Sequence, residues 1–188
     1  MLNKITEKDW YLLPHVSDLL DSPQKASMYT KIDLKHTYHL VRIHEGDGWK
    51  TAFHTCYDSF EWCVMPFGLT NALAAFQYFM NNIFSGMLNV CVLVYLDDIL
   101  IYSDNMEQHY EHLHEVLWHL HKNHLYAHAN ECNFHTNSME YLGYMLSPAG
   151  LSMADYKVKT IQEWPKPCKV EDIQFFLGFA NCLLEIHF

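Results

Sequence analysis

Two apolar runs, at 90–96 and 99–102, are separated by a single pair of aspartates, Asp97 and Asp98. Runs of this length are typical of buried strands, and two residues are enough for the turn of a hairpin. An Asp-Asp pair is in itself a common turn sequence. Between two apolar strands, however, the pair constrains the fold. The fold must bury the strands and still accommodate two neighbouring carboxylates, which repel one another.

The segment before this hairpin predicts strands and a helix. Residues 28–33 read MYTKID, a β-branched and aromatic run that is typical of a strand and ends near Asp33. Two hairpin strands are expected at 40–43 and 51–54, on either side of the turn-like sequence EGDG. Thr70 is expected to cap a helix whose apolar side chains recur at helical spacing.

The segment after the hairpin predicts a second helix and further strands. Asn105 and Gln108 stand at capping-box spacing, and the helix that follows should end near Asn123. Its apolar side chains are expected to form one core-facing stripe: Met106, Tyr110, Leu113, Leu117 and Leu120. A strand should follow, around 125–129 or 133–134. The rest of the chain favours one hairpin strand at 141–146 and two helices, at 155–164 and 170–181.

The order of these elements is the β-α-β-β-α-β of a split βαβ sandwich. The first helix is a crossover, so the strand before Asp97 runs parallel to the strand that ends at Asp33. Asp33, Asp97 and Asp98 are therefore expected to converge at one edge of the sheet. A site built from carboxylates suits Mg²⁺ or Mn²⁺, and two such ions can serve phosphoryl transfer.

The charge balance is strongly acidic. Lysine and arginine number 12 and aspartate and glutamate number 22, which gives a net charge of −10 with neutral histidine. Arg42 is the only arginine, and no lysine or arginine lies between Lys50 and Lys122. Composition alone therefore shows no electrostatic footprint for DNA or RNA. Half of the residues are hydrophobic, which excludes a disordered tail.

Histidine is frequent, with 14 residues in all and eight in the stretch 109–135. His121 and His124 are one of several pairs at helical spacing, which can hold a metal ion. The competing interpretation is a polar helix face that happens to be rich in histidine. A His-rich metal-binding module is thus a separate hypothesis, which predicts Zn²⁺ binding that is lost when His121 and His124 are changed.

Five motifs, in the same order, resemble those of reverse transcriptases. YLDDILIYS at 95–103 resembles the catalytic turn, and KIDLKHTYH at 31–39 resembles the first carboxylate motif. MPFGLTNA with the following FQ, at 65–77, resembles the motif between them. YLGY at 141–144 resembles the primer-grip hairpin, and FLGFAN at 176–181 resembles a stretch of the thumb. Together they are similar to gypsy-type long-terminal-repeat retrotransposon polymerases and their domesticated relatives.

This resemblance implies an α+β fold, the palm of a right-hand polymerase, with helices on one face of a split β-α-β-β-α-β sheet. It implies a single reverse transcriptase domain over 1–188, with partial fingers and the start of a thumb. Partial fingers are expected at 1–27 and the palm at 28–135, with a fingers excursion near 40–69. A primer-grip-like hairpin is expected at 136–154, and a truncated thumb or connection at 155–188.

The resemblance also implies roles for the matched residues. Asp33, Asp97 and Asp98 would be the catalytic carboxylates and would bind two Mg²⁺ or Mn²⁺ ions. Five residues would bind the nucleotide: Leu34, Tyr38, Phe67, Gly68 and Gln77. Tyr38 occupies the aromatic position that crowds a ribose 2′-hydroxyl and so selects deoxynucleotides. Three residues would form the primer grip: Tyr141, Leu142 and Gly143.

The implied function is RNA-directed DNA polymerisation onto a primer 3′-hydroxyl, with an RNA or DNA template-primer, deoxynucleoside triphosphates and other polyprotein segments as partners. The alternative is a catalytically inactive remnant or domesticated fragment that acts as a binding module or has no function. Glu131 favours that alternative, because the family usually has a lysine there. No apolar run spans a bilayer, so we expect no membrane partner. Most of the six cysteines sit among apolar neighbours, as the reduced thiols of intracellular proteins do, so we expect an intracellular location, in cytoplasm or nucleus.

Overall fold

An antiparallel four-stranded sheet lies at the centre of the chain. The computed structural model describes residues 2–9, 11, 13–35 and 37–184. The strands are, in chain order, β1 (Met28–Asp33), β2 (Phe53–His54), β3 (Ser59–Phe60), β4 (Val92–Tyr95), β5 (Asp98–Ser103), β6 (Asn133–Thr136), β7 (Met139–Tyr141), β8 (Tyr144–Ser147) and β9 (Gly150–Met153). The α-helices are α1 (Val16–Asp21), α2 (Ala72–Ile83), α3 (Met106–Lys122), α4 (Asp155–Gln162) and α5 (Val170–Leu184). Each described helix is too short or too polar to cross a membrane.

The topology of the central sheet confirms the expected split βαβ arrangement. Its strand order is β4-β5-β1-β6, and every neighbouring pair is antiparallel. β1 and β4 therefore run in the same direction on either side of β5, with α2 as the crossover between them. The last strand forms at β6, the second of the two ranges expected there.

Two hydrophobic clusters cover the two faces of this sheet. On one face, α2 and α3 contribute Phe76, Met80 and Val116, which pack against the strands beneath them. On the other face, α1 and the three-stranded sheet β7-β8-β9 form the second cluster, with Leu20 and Tyr141 among its fully buried side chains. The two clusters hold the paired strands on both sides, as a half-apolar chain of this length allows.

The hairpin expected at 40–43 and 51–54 does not form as predicted. Within the part of the chain that the structure describes, residues 40–43 pair through an isolated bridge between Arg42 and Val64 alone, and Gly48–Thr51 form a 3₁₀ turn. The hairpin forms instead between β2 and β3. The physical reason is Thr55, whose hydroxyl accepts hydrogen bonds from the backbone N–H groups of residues 57 and 58 and closes the turn there.

The two helices that pack on the central sheet, α2 and α3, begin in different ways. α3 begins as expected, with the side chain of Asn105 accepting a hydrogen bond from the Gln108 N–H. α2, in contrast, has Asn71 rather than Thr70 at its N-cap, and no side chain caps it. The Asn71 side chain instead joins the N-terminal segment, donating to Glu7 O and accepting from the Asp9 N–H.

The buried stripe of α3 is rotated from the one that its apolar residues predict. Met106, Tyr110 and Leu117 are more than one-third exposed. The buried residues of α3 are His109, Leu113, Val116 and Leu120. Two hydroxyl groups explain the rotation, because Thr30 on β1 and Ser103 on β5 both bond to the imidazole of His109.

His109 lies at the centre of a buried polar network between α3 and the sheet. Its Nε2 lies 2.7 Å from Thr30 Oγ1, and its Nδ1 lies 3.0 Å from Ser103 Oγ. The Ser103 hydroxyl also bonds His112 Nδ1, at 2.8 Å, and Thr30 Oγ1 accepts from the His135 N–H. Burial, followed by the nearby rings of His135 and His112, lowers the pKa of His109 to about 4. The network is thus built for a neutral imidazole.

We expect protonation of His109 to destabilise the fold. Its pKa falls from an ordinary 6.5 to about 4 on folding, so the stability that it contributes is complete above pH 6.5 and is lost as pH falls towards 4. His109→Gln should lower the free energy of unfolding at pH 7 by about 1–3 kcal/mol and make it less dependent on pH in this window. Urea denaturation across the pH range measures both effects.

The control for this experiment is His114→Gln, which changes an exposed histidine of the same helix. That variant should keep the pH profile of the parent. An unchanged profile in His109→Gln would contradict the role given to the buried imidazole.

Candidate active site at the edge of the central sheet

The three predicted carboxylates meet at one edge of the central sheet. Asp33 is the last residue of β1 and Asp98 the first of β5, and the two are direct partners in the antiparallel register. Direct partners project to the same face of a sheet. The Leu34 N–H donates to Asp97 O at 3.1 Å, which ties the end of β1 to the neighbouring turn.

The turn itself is shifted by one residue from the prediction. Tyr95 pairs with Asp98, so the two turn residues are Leu96 and Asp97, and Asp98 belongs to β5. Leu96 has φ +54, a left-handed conformation that is unfavourable for a residue with a branched side chain. The shift places Asp98 within the ladder and opposite Asp33.

The electrostatics of this edge favour a cation. Burial, then the negative charges of Asp98 and Glu131, raise the pKa of Asp33, while Lys31 acts in the opposite direction. Lys31 Nζ forms an ion pair with Asp98 Oδ1 at 2.8 Å. One lysine therefore stands against several carboxylates, and the excess negative charge remains after that pair has formed.

The chemistry of the donor set fits a hard divalent ion, since it consists of carboxylate oxygens. Within the described ranges, however, no three His, Cys, Asp or Glu side chains are gathered closely enough to hold a metal ion. Asp98 is turned towards Lys31. The same finding covers the described His-rich stretch 109–135, which shows no group of ligands of its own.

Gln77 supports the backbone of the β4–β5 hairpin. Its side chain is fully buried, and its amide donates to Val94 O at 3.0 Å and accepts from the Leu96 N–H at 2.9 Å. The same amide donates to Asn81 Oδ1, and Asn81 in turn donates to the hydroxyl of Tyr11 at 2.6 Å. Gln77 thus holds both sides of the turn, and its side chain is bonded to protein rather than open to a ligand.

The other residues expected to bind nucleotide lie around the same edge with different exposures. Leu34 and Tyr38 are buried, at 4% and 7% exposed, whereas Phe67 is 70% exposed. The ring centroids of Tyr38 and Phe67 are 4.8 Å apart. Burial, followed by the charges of Asp97 and Tyr95, raises the pKa of Tyr38 to about 12. Gly68 adopts φ +92, which favours glycine.

The three residues expected to form a primer grip adjoin the carboxylates on the face of the central sheet that β7, β8 and β9 cover. Tyr141 is fully buried, and its hydroxyl donates to Asp98 O at 3.1 Å. Leu142 and Gly143 form the tight turn between β7 and β8, with φ +51 and +78. This hairpin is therefore anchored directly on the first residue of β5.

Sequence reasoning missed three supports of this site. Lys31 lies two residues before Asp33, so strand alternation already places it on the same face. Asn81 lies one helical turn after Gln77, which also brings the two side chains together. Tyr11 carries no comparable signal, because its contact with Asn81 joins residues 70 positions apart.

Residues 1–146 match the sequence model of the family described as "Reverse transcriptase (RNA-dependent DNA polymerase)". The chain belongs to the reverse transcriptase family. It is 36% identical over 182 residues to the Transposon Tf2-3 polyprotein of Schizosaccharomyces pombe, covering 97% of this chain and 14% of that one. It is 38% identical over 180 residues to the retrovirus-related Pol polyprotein from transposon 297 of Drosophila melanogaster, covering 96% and 17%. These relatives confirm the expected likeness to gypsy-type retrotransposons.

Solved reverse transcriptase structures share the fold. The foamy viral protease-reverse transcriptase in complex with double-stranded DNA has a TM-score of 0.88 at 20% identity, covering 96% of this chain and 31% of that one. The same viral protein in complex with an RNA/DNA hybrid has a TM-score of 0.83, covering 96% and 24%. The likeness confirms the expected α+β fold class. The division of 1–188 into fingers, palm, primer grip and thumb stays a prediction.

We expect the Gln77 amide to stabilise the hairpin. Gln77→Leu leaves the Leu96 N–H and the Val94 carbonyl without this partner inside the protein, and should lower the free energy of unfolding by about 1–3 kcal/mol. Chemical denaturation at pH 7 measures the loss. Gln162→Leu, an exposed glutamine at the end of α4, is the control. Equal losses in the two variants would rule out a specific role for Gln77.

We expect ionised Asp33 to destabilise the metal-free fold. Its pKa is raised on folding, so its contribution favours the folded state when protonated and is lost as pH rises through the folded pKa. Asp33→Asn should therefore raise the melting temperature at pH 7 in EDTA, and this gain should disappear below about pH 4. Asp104→Asn, at an exposed site, should show neither effect. A lower melting temperature for Asp33→Asn at pH 7 would contradict the expectation.

Proposed function

We propose that this domain catalyses RNA-directed DNA synthesis, adding deoxynucleotides to a primer 3′-hydroxyl. One observation carries the proposal: Asp33 and Asp98 are register partners at the edge where Asp97 forms the turn, in a chain of the reverse transcriptase family. The chain spans 14% and 17% of the length of the two retrotransposon polyproteins, so the proposed activity is that of this domain alone.

Asp33, Asp97 and Asp98 would hold two divalent ions, Mg²⁺ or Mn²⁺. The raised pKa of Asp33 supports this assignment, because burial and the charges of Asp98 and Glu131 leave a demand for positive charge. When bound, such ions activate the attacking oxygen and stabilise the charge on the leaving phosphate. The protein's own part is to keep the carboxylates together through the β1–β5 register and to hold the turn through Gln77.

The nucleotide would lie against Tyr38, Phe67 and the backbone at Leu34 and Gly68. Phe67 offers an exposed ring, and Gly68 has no heavy atom within 4 Å of where a Cβ would be, so a substrate can approach the backbone closely. Tyr38 would crowd a ribose 2′-hydroxyl and so favour deoxynucleoside triphosphates. Gln77 would act on the nucleotide through the hairpin, because its side chain is buried and bonded.

Tyr141, Leu142 and Gly143 would position the primer. The bond from the Tyr141 hydroxyl to Asp98 O supports this role, because it couples the β7–β8 turn to the carboxylate edge. An RNA or DNA template-primer is the proposed partner, supported by viral structures of the same fold that contain an RNA/DNA hybrid or double-stranded DNA. Other polyprotein segments would complete the enzyme, in the cytoplasm or nucleus.

Primer extension tests the proposal. On a poly-rA template with an oligo-dT primer, the chain should extend the primer in Mg²⁺ or Mn²⁺. Asp97→Asn should reduce the rate by about 100-fold or more, because losing a carboxylate ligand removes several kcal/mol of transition-state stabilisation. Asp104→Asn, seven residues further along and exposed, should leave the rate unchanged.

Two outcomes would contradict the proposal. Extension that survives Asp97→Asn would show that another site carries the activity. Absence of extension by the parent chain with either ion, in a sample with intact circular dichroism, would favour the alternative of a catalytically inactive remnant.

A further inference from the structure

The exposed side of α3 carries apolar side chains at helical spacing. Met106, Tyr110, Leu117 and Trp118 are between 37% and 56% exposed. At 3.6 residues per turn, these four positions lie within about one-third of the helix circumference, next to the buried face. We call the four residues the outer stripe. Apolar side chains that recur in this way along one side of a helix form the surface on which a second helix packs.

The two aromatic rings of the outer stripe are already held by their neighbours. Tyr110 lies against His135 of β6, with 4.9 Å between the ring centroids. Lys122 Nζ lies 4.7 Å from the centroid of the Trp118 ring. Side chains that are fixed before association lose less conformational entropy on binding. Tyrosine and tryptophan are also among the side chains that most often dominate the binding energy of an interface.

The charges of α3 are divided between its two ends. Its first ten residues contain three glutamates and no lysine or arginine, whereas its last residue is Lys122. Glu107, Glu111 and Lys122 are all exposed. A parallel copy of the same helix would bring like charges together, and an antiparallel copy brings opposite charges together. The exposed side of α3 is therefore complementary to itself in the antiparallel arrangement.

A twofold axis at the exposed His114 would match the positions of two such helices. Residues equally far from His114 along α3 then face one another in the two copies. Tyr110 and Trp118 are each four residues from His114, so the Tyr110 ring faces Trp118 of the second copy. Glu107 and His121 are each seven residues away, which places Glu107 beside Lys122 of the second copy.

The area of this contact fits a dissociable dimer. Both rings are about half exposed, at 56% and 50%. A buried aromatic side chain covers about 150–250 Å², so the four rings of two copies would add roughly 300–500 Å² of newly buried surface. Met106 and Leu117 add to this area, but the total stays at or below the roughly 1,200 Å² at which stable interfaces begin. We therefore expect a dissociation constant above about 1 μM.

We propose that the outer stripe of α3 is the contact surface of a weak, antiparallel dimer of this chain. Tyr110 packs on Trp118 of the second copy, and Glu107 pairs with its Lys122. A second copy is the partner that fits, because one surface supplies both the aromatic rings and the opposite charges that the contact needs. The dimer goes beyond the proposed polymerase activity and does not depend on it, since the outer stripe contains none of the carboxylates.

Sedimentation equilibrium tests the aromatic contact. The parent chain, at concentrations up to about 200 μM, should show a reversible equilibrium between monomer and dimer. Trp118→Gln should weaken the dimer about tenfold or more, since it removes an aromatic contact from each half of the interface. Trp49→Gln is the matched control, because Trp49 is also exposed, at 65%, but lies outside α3. That variant should change the dissociation constant by less than about twofold.

Charge reversal tests the antiparallel arrangement. Glu107→Lys and Lys122→Glu should each weaken the dimer about tenfold, because each substitution places like charges opposite one another. An equimolar mixture of the two variants should associate again, because a heterodimer has opposite charges at both contacts. Mixing does not change the fold of either chain, so restored association reports on the interface and not on helix stability.

Three results would overturn the inference. The first is a parent chain that stays monomeric over the whole concentration range. The second is equal weakening by Trp118→Gln and Trp49→Gln. The third is a mixture of Glu107→Lys and Lys122→Glu that associates no better than either variant alone. Primer extension enters none of these measurements, so a failure of the polymerase proposal would leave them interpretable.

Discussion

Two carboxylates of like charge face one another across the central strand pair, and the rest of the site depends on how the fold keeps them there. Asp33 and Asp98 are partners in a register of six residue pairs, from Met28 opposite Ser103 to the carboxylates themselves. Slipping by one residue would turn every side chain of β1 to the opposite face, and both faces are packed. Burial of the apolar residues on both faces thus opposes the repulsion at the strand ends.

The hairpin that carries Asp97 is held from both faces of the sheet. From α2, the Gln77 amide bonds the backbone on each side of the turn, and from β7 the Tyr141 hydroxyl bonds the carbonyl of Asp98. Leu96 sits at φ +54, which costs of order 1–2 kcal/mol for a residue of this type. The hydrogen bond from the Leu96 N–H to the Gln77 side chain is therefore the contact best placed to maintain that conformation. The same bond helps to fix the position of Asp97, the next residue of the turn.

Sequence periodicity predicted the elements whose burial follows from apolar residues alone, and failed where a polar contact decided the outcome. β1, the apolar pair β4 and β5, and the split topology follow from hydrophobic runs and turn residues. The stripe of α3 was predicted wrongly, because no apolar pattern shows that His109 is drawn inwards by hydroxyls on two strands. The β2–β3 hairpin was misplaced for a similar reason, since the Thr55 hydroxyl sets its turn.

The acid excess argues against a nucleic-acid partner only if charge acts over the whole surface. At cellular salt, a charge is screened beyond about 8–10 Å, so a distant aspartate has little effect on a phosphate in a given groove. What matters is the local composition. Lys31 lies beside the carboxylates at the sheet edge, and Lys4 and Lys50 line a surface groove together with Phe53, Trp62 and Phe67. The net charge of −10 therefore does not by itself exclude a polynucleotide partner.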